Sequence, residues 1–366
     1  MSVTLRRLPA RPDDWDVLIQ RFDSKTLFHE SAWLDHVLSI HPNASIHYFR
    51  LERGNDLVGF FCTVSLRKLL MKVYGSPLPG TGTNYMGPLV NRAEGAFEEA
   101  IEAIVAYCRQ HRVAHLELAH DWLQPPAAQR LNLDIHEGVT HLVPLPSDEE
   151  AAFAGLKSTC RNRVRKAQKN KLLAEVTDDP TVVDRFYEQF IEVYAKQGLD
   201  VPFGIARARS LYETLYPAGR LLPIWVRNGD EVIAAGLFPY DQHAIYFWGA
   251  ASWLKDQHLN PNELLQWTVM QEGVRRGIPI YNMCGGASQF KDKFGGADVP
   301  YNHFSRTFIP GLRKARDLYR TLHWKRLKLT GWVKGIRATR PPRSSADGPS
   351  LAPSMPVSEA PESGEP

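Results

Sequence analysis

Residues 278–296, IPIYNMCGGASQFKDKFGG, combine a strand end, paired glycines and charged side chains that could do chemistry. Ile278 to Met283 reads as a short buried strand that stops at Cys284-Gly285-Gly286. Paired glycines accept positive φ and let a main chain approach a ligand closely. In the turn that follows, Lys291 and Lys293 flank Asp292. Phe290 and Phe294, four residues apart, share one face of a helical turn and can anchor it. A cationic turn beside a glycine-bent strand end can neutralise a phosphate or stabilise an oxyanion. An ordinary strand end with a solvated turn has the same pattern.

A second concentration of charge lies at 156–171. Leu156, Cys160, Val164 and Ala167 form an apolar stripe at helical spacing. Lys157, Arg161, Arg165 and Lys169 form a basic stripe beside it, with Arg163, Lys166 and Lys171 nearby and no acid between 157 and 171. Solvated helix faces usually mix signs, so a one-sign stripe points to contact with a polyanion. A plain soluble face is the alternative.

The 366-residue length predicts two domains. Hydrophobic content of 43% and charged content of 23% are those of a globular protein. No apolar run is long enough to span a bilayer, and the N-terminus lacks the apolar core of a signal peptide. The four cysteines, Cys62, Cys108, Cys160 and Cys284, form no CxxC pair. That pattern predicts no disulfide framework and no metal, and it suits a reducing cytoplasm. The histidines show no metal-ligand spacing. The net charge of +4 hides a segregation. Residues 311–343 carry eleven Lys/Arg and one acid, 344–366 carry four acids and no base, and 1–310 are nearly neutral at −2.

The elements that must position these groups follow in order. A helix opens near Glu30 or Ser31. Ile46–Leu51 and Leu57–Leu66 form a hairpin. Tyr74–Val90, rich in Gly, Pro and Thr, reads as a long loop that belongs to a binding cleft. A helix from Glu94 to Gln110 and a buried strand, Val113–Leu118, complete the first half. Ser147 to Phe153 caps and starts the helix that leads into the basic stripe, and Thr181–Lys196 is another helix. The second half repeats the order: strands at Leu221–Val226, Glu231–Pro239 and Ala244–Trp248, then a helix. There Asn260 is the expected N-cap, with Pro261 at the first helical position and Glu263 completing a capping box. RGNDLVGFF in the first half parallels RNGDEVIAAGLF in the second. We infer a duplicated α/β unit. Gly311–Thr339 is helix-compatible, and 341–366 has the composition of a disordered tail.

With FHESAW, SPL…YMGPL, RNRVRKAQK, NPNELLQW, RRGIPIYNMCGG and FKDKFGG in this order, residues 25–310 resemble the FemABX-like branch of the GNAT acyltransferase superfamily. The resemblance implies an α/β (α+β) fold of two tandem GNAT-like domains with mixed, mostly antiparallel sheets flanked by helices. The expected divisions are 1–155, a catalytic 156–310, a basic amphipathic helix at 311–340 and a tail at 341–366. It implies transfer of an acyl or aminoacyl group to an amine of a peptidoglycan- or exopolysaccharide-related precursor. The donor would be a substrate, acyl-CoA or aminoacyl-tRNA, with no tightly bound cofactor. The setting would be the cytoplasm, with 311–340 resting on the anionic inner face of the membrane. Two features depart from the family. LKDQHLNPNE lacks the glycines of the loop that holds a CoA pyrophosphate, and Asn282 stands where related sequences often carry an acid.

This reading makes Lys291, Tyr246, Tyr281 and Asn282 the candidate catalytic residues. Lys291 and the two tyrosines would serve as proton carriers or oxyanion partners. Arg161, Arg165 and Lys293 would hold phosphates. Tyr85, Trp248, Asn262, Gly285 and Gly286 would line the substrate site. The cleft is expected between Tyr74–Val90 and Lys291–Gly296, with both lysines facing it or its rim and the strands of Tyr246 and Tyr281 splayed apart. Competing expectations are an acyl-CoA or acyl-carrier-protein enzyme acting on an amino sugar or small amine, and a non-catalytic RNA- or membrane-binding protein on the same scaffold.

Overall fold

The computed structural model describes residues 2–68, 71–93, 95–285, 288–309 and 311. Gly286 lies outside the described residues, as do the expected basic helix (apart from Gly311) and the tail. The first part of the chain runs β1 (Val3–Arg7), α1 (Trp15–Ile19), α2 (Ser31–Ile40), β2 (Ala44–Arg53), β3 (Asp56–Lys68) and β4 (Met71–Ser76). It continues through β5 (Pro88–Val90), α3 (Ala96–Gln110), β6 (His115–Leu118), α4 (Pro125–Arg130), β7 (Asp134–His136) and β8 (Val139–Pro144). Next come α5 (Glu149–Gly155), α6 (Ser158–Lys169), β9 (Leu173–Val176), α7 (Thr181–Lys196), α8 (Ile205–Leu215), β10 (Leu221–Asn228) and β11 (Glu231–Pro239). The last elements are β12 (Ile245–Tyr246), β13 (Gly249–Ser252), α9 (Pro261–Arg275), β14 (Ile280–Gly285), α10 (Gln289–Asp292), β15 (Ala297–Pro300) and β16 (His303–Thr307).

Three sheets result, with strand orders β1-β2-β3-β4-β6-β16-β7 (β5 pairing with β3), β13-β11-β10-β9 and β12-β14-β8-β15. Most pairings are antiparallel; β4–β6 and β12–β14 are parallel. Each parallel pair brackets a helix, α3 or α9, so the order hairpin, helix, buried strand occurs twice. Two strands cross between the halves. β8 pairs with β14 and β15, while β16 returns between β6 and β7. An ion pair also joins the halves: Glu30, buried with Lys25, accepts from Arg220 as well.

Several local expectations shift for identifiable reasons. The long loop is shorter than 74–90, because Tyr74–Ser76 belongs to β4 and Pro88–Val90 pairs with β3; the connection proper is 77–87. Asp148, not Ser147, caps α5, its carboxylate accepting from the Ala151 N–H at 2.7 Å. The expected third strand, 244–248, divides because its start pairs with β14 and its continuation, β13, pairs with β11. Asn260 adopts φ 62°, and its side chain caps nothing in α9. The capping box is therefore absent, and Glu263 is available for other contacts. The apolar stripe of α6 is buried as its spacing predicts: Leu156, Cys160, Val164 and Ala167 are all in the core. Phe290 and Phe294 are also buried, edge to face at 5.2 Å, and they pin α10.

Candidate functional site

The site forms where β12 and β14 part. They pair in parallel only through Ile245–Tyr281 and Tyr246–Asn282, and the Phe247 N–H then donates to the Asn282 carbonyl at 2.9 Å. Beyond that point one chain leaves toward β11 and the other bends at Cys284. The strands bearing Tyr246 and Tyr281 are thus joined at those residues, contrary to expectation, and the opening begins at Trp248 and Cys284.

Side chains alternate across a strand, and this sorts the β14 candidates. Tyr281 and Met283 point into the core beneath α9, where the Tyr281 hydroxyl donates to Gln266. Tyr281 is therefore on the wrong face to carry a proton in the cleft. Asn282 and Cys284 face the 77–87 loop. Asn282 Oδ1 accepts from the Cys284 N–H and from Thr140 Oγ1, each at 2.8 Å, and its Nδ2 donates to the Tyr85 hydroxyl at 3.2 Å. This clamp accompanies φ 62° at Cys284, a left-handed conformation that is uncommon outside glycine. Asn84 Nδ2 donates to Cys284 Sγ at 3.1 Å, and Tyr301 stands edge-on to Tyr85 at 4.7 Å. Burial pushes the Cys284 thiol up to about 11 and the Tyr85 phenol to about 12, and it raises Tyr246 and Tyr301 well above the ordinary value. These phenols stay protonated at neutral pH, and the Tyr301 hydroxyl donates to the Asn84 carbonyl.

The two lysines do not project into open solvent. Lys291 is only 2% exposed, and its Nζ donates to the carbonyls of Cys284 (3.2 Å) and Gly285 (2.6 Å). Burial lowers its ammonium to about 8, as expected for a charge taken out of water. Lys293 turns away to Glu263, with Nζ 2.6 Å from Oε1; Arg163 Nη1 reaches the same oxygen at 2.9 Å. Burial alone would raise the Glu263 carboxyl, but Lys293 and Arg163 outweigh it and hold it below its ordinary value. The knot joins α6, α9 and α10.

The remaining candidates are dispersed. Asn262 Nδ2 donates to Ser252 Oγ at 2.8 Å and ties α9 to β13. Arg161 donates to the carbonyls of Ala154 and Leu156, closing the end of α5. Arg165 lies over the Phe153 ring at 5.1 Å. Trp248 stands at the opening, packed 5.0 Å from Phe203.

One residue at the opening has no signal in motif or spacing. Arg207 of α8 lies over Phe203 at 5.5 Å, and its Nη1 donates to the Gly80 carbonyl at 3.2 Å. Its Nε and Nη2 are buried with no hydrogen-bond partner among the described residues, as is Trp248 Nε1. Burial lowers the guanidinium to about 10. Gly82, at φ 75°, brings the loop against both: a Cβ there would lie 2.4 Å from Arg207 Nη2 and 3.9 Å from Trp248 Nε1. The glycine spacing in Gly80-Thr81-Gly82-Thr83 was the one available hint of a close approach. Among the described residues, no group of three or more His, Cys, Asp or Glu could hold a metal ion.

Residues 154–292 match the family described as an acetyltransferase (GNAT) domain. That span contains α6, α9, β14 and α10, while Asn84, Tyr85 and Thr140 come from the first half. Among solved structures, the chain is similar to FemX, with a TM-score of 0.66 at 12% identity over 86% of this chain and 99% of that one. It is also similar to the C-terminal domain of a putative lysylphosphatidylglycerol synthetase from Agrobacterium fabrum, with a TM-score of 0.54 at 11% identity over 83% and 92%. L-PGS from Bacillus licheniformis gives a TM-score of 0.52 at 11% identity over 90% and 98%. No curated protein matches the sequence. Residues 154–292 thus carry a GNAT acetyltransferase domain, and the pairing and parting of β12 and β14 fall inside it. Over 86% of its length the chain shares the fold of FemX, with mixed, mostly antiparallel sheets flanked by helices.

Proposed function

We propose that this acyltransferase forms an amide by moving an acyl or aminoacyl group onto the amine of an anionic cell-envelope precursor. The observation that carries the reading is the set of three buried, unmatched donor nitrogens, two on Arg207 and one on Trp248, at the strand opening. A buried cation without a counter-charge is costly, and an acceptor phosphate or carboxylate would supply one. The fold shared with a putative lysylphosphatidylglycerol synthetase, named for a lysyl group and an anionic lipid, supports transfer of an aminoacyl group to an anionic acceptor, there onto a hydroxyl rather than an amine.

The acceptor amine, deprotonated, attacks the acyl carbonyl carbon. The C–N bond forms, the ester C–O or thioester C–S bond breaks, and the amine proton leaves to the departing group or solvent. Lys291 supplies positive charge at the strand end, where the carbonyl oxygen becomes an oxyanion. Tyr85 and Tyr246 offer hydrogen bonds, and Asn282 keeps the strand bend and the Tyr85 hydroxyl in place. An aminoacyl-tRNA donor fits the exposed Lys157, Lys166 and Lys169 on α6. A CoA donor fits less well, because the loop before α9 lacks glycines and the buried carboxylate of Glu263 occupies the first turn of that helix. The catalytic unit of this reading is 156–310, completed by the residues that the first half lends.

Mass spectrometry of envelope precursors from a deletion strain, with transfer assays offering labelled aminoacyl-tRNA or acyl-CoA, tests the proposal. Loss of one acyl or aminoacyl increment is expected; unchanged precursors and no transfer from either donor would sink it. No helix among the described residues is long and apolar enough to cross a membrane. We further propose that the basic segment 311–340 docks on anionic membrane, near a lipid-linked acceptor. Full-length protein should co-sediment with anionic vesicles and a 1–310 truncation should not; equal binding rules the docking out.

A further inference from the structure

Beside Arg207 lies a histidine whose protonation the local hydrogen bonds fix. His36 of α2 is fully buried, and its ring stands 5.5 Å from Trp33. Its Nδ1 is 2.9 Å from Ser210 Oγ, and Ser210 Oγ also contacts Ser39 Oγ. Ser39 donates its only hydroxyl proton to the His36 carbonyl at 2.8 Å. With Ser39 committed to that carbonyl, the hydrogen between the two serines is assigned to Ser210. Ser210 has none left for the ring, so His36 Nδ1 carries the hydrogen and donates. Nε2 is then a bare lone pair, buried and without a partner among the described residues.

Arg207 precedes Ser210 by three residues on α8 and so shares its helix face, close enough to His36 to act on its charge. The charged or titratable groups acting on His36 are Arg207, from α8, and His41, at the end of its own helix. The loop residues at this end, Gly80 to Thr83, carry no ionisable group. Burial and then Arg207 pull the imidazolium down to about 3, so the ring is neutral at pH 7. An anion seated on the unpaired Nε and Nη2 of Arg207 reverses the local field. Within reach of His36, such an anion would be repelled by a bare Nε2 lone pair unless that nitrogen gained a hydrogen.

We propose that an oxyanion docking on Arg207 brings one proton with it, onto Nε2 of His36. The inference rests on Arg207 as the anchor of an anionic acceptor, and it assigns a proton-linked step to that anchor. The proton comes from solvent, or from a protonated phosphate, which then donates its P–O–H. No other bond changes. His36⁺ and Arg207 together match a dianion, and release of the anion returns the proton.

The sign of the effect follows from linkage. The pKa of His36 is low in the free protein and raised in the complex, so between the two values affinity falls as pH rises, approaching about tenfold per unit. Calorimetric titration of full-length protein with sulfate, whose charge is constant across neutral pH, reads this directly. In buffers of differing ionisation enthalpy the native protein should take up about one proton per anion bound. His36→Gln should abolish both the uptake and the pH slope, His41→Gln should retain both, and Arg207→Met should remove sulfate binding. Binding that is independent of pH with no proton uptake would overturn this inference and leave the anion anchor standing. Absence of sulfate binding to native protein at every pH would overturn the anchor as well. Proton uptake that survives in His36→Gln would also defeat the assignment.

Discussion

Two cationic regions of this molecule look reversed when sequence and structure are compared. The α6 helix concentrates basic residues and draws attention as a phosphate binder, yet its arginines are largely committed to the protein. Arg161 closes α5, Arg163 neutralises Glu263, and Arg165 lies on Phe153. Arg207 stands on a helix with no one-sign stripe, yet it keeps two buried nitrogens unmatched at the strand opening. Charge density along a chain measures supply; what a ligand meets is the charge left after the fold has used its share. The two lysines of the α10 corner repeat the contrast at short range. Lys291 is held by main-chain carbonyls at the strand end, whereas Lys293 is half of a buried ion pair.

Substitutions at these positions can break or sharpen that comparison. The largest effect is expected at Lys291. Lys291→Met should lower kcat by ~10²–10³, equivalent to about 3–4 kcal/mol. Its melting temperature should change little, because removing a buried charge and depriving two carbonyls of a donor act in opposite directions. A variant with native turnover would move the chemistry elsewhere.

Lys293→Met should do the converse, costing about 3 kcal/mol of stability, the lower end for breaking a buried pair, because Arg163 remains on Glu263. Denaturant titration measures the loss. A pH series should separate the variant further. Because the folded pKa of Glu263 is depressed, its stabilisation is complete above its unfolded pKa and is lost as pH falls through the lower folded value. Without Lys293 that loss should begin at higher pH; an unchanged acid limb would contradict the assigned pair.

Arg207→Met should raise the KM for the acceptor by roughly 10–10², or about 1.5–3 kcal/mol for charged hydrogen bonds, with a smaller change in kcat. The smallest effects belong to α6. Arg165→Gln should change stability and acceptor KM by less than about 1 kcal/mol. If the two arginines behaved the other way round, with KM rising at Arg165 and not at Arg207, the comparison would fail and the exposed helix would be the acceptor site.

Much of the architecture was legible because it rests on local rules. The period of Leu156, Cys160, Val164 and Ala167 gave a buried helix face, Phe290 and Phe294 gave a pinned turn, and the strand before Cys284-Gly285 gave the edge of the site. The same local rules misjudged Glu263. Asn-Pro-x-Glu spells a capping box, but Asn260 takes a left-handed conformation and Glu263 pairs with Lys293, thirty residues away. Tyr281 and Asn282 are adjacent and equally plausible as site residues by type. Only the packing of α9 decides that one enters the core and the other faces the 77–87 loop.

By itself the sequence determined the periodic elements, the duplicated order of hairpin, helix and strand, and the end of β14 at Cys284-Gly285, although the left-handed residue there is Cys284 rather than a glycine. These depend on backbone preference and on which side chains recur on one face, information carried within a few residues. Tertiary structure alone decided which charges are free. Whether Arg207 has a partner, whether Lys291 is buried, and whether β12 and β14 part at Tyr246 or beyond it depend on contacts among segments far apart in the chain. The exchange of β8 and β16 between the halves fixes many of those contacts, and no local pattern records which strand a distant strand will choose.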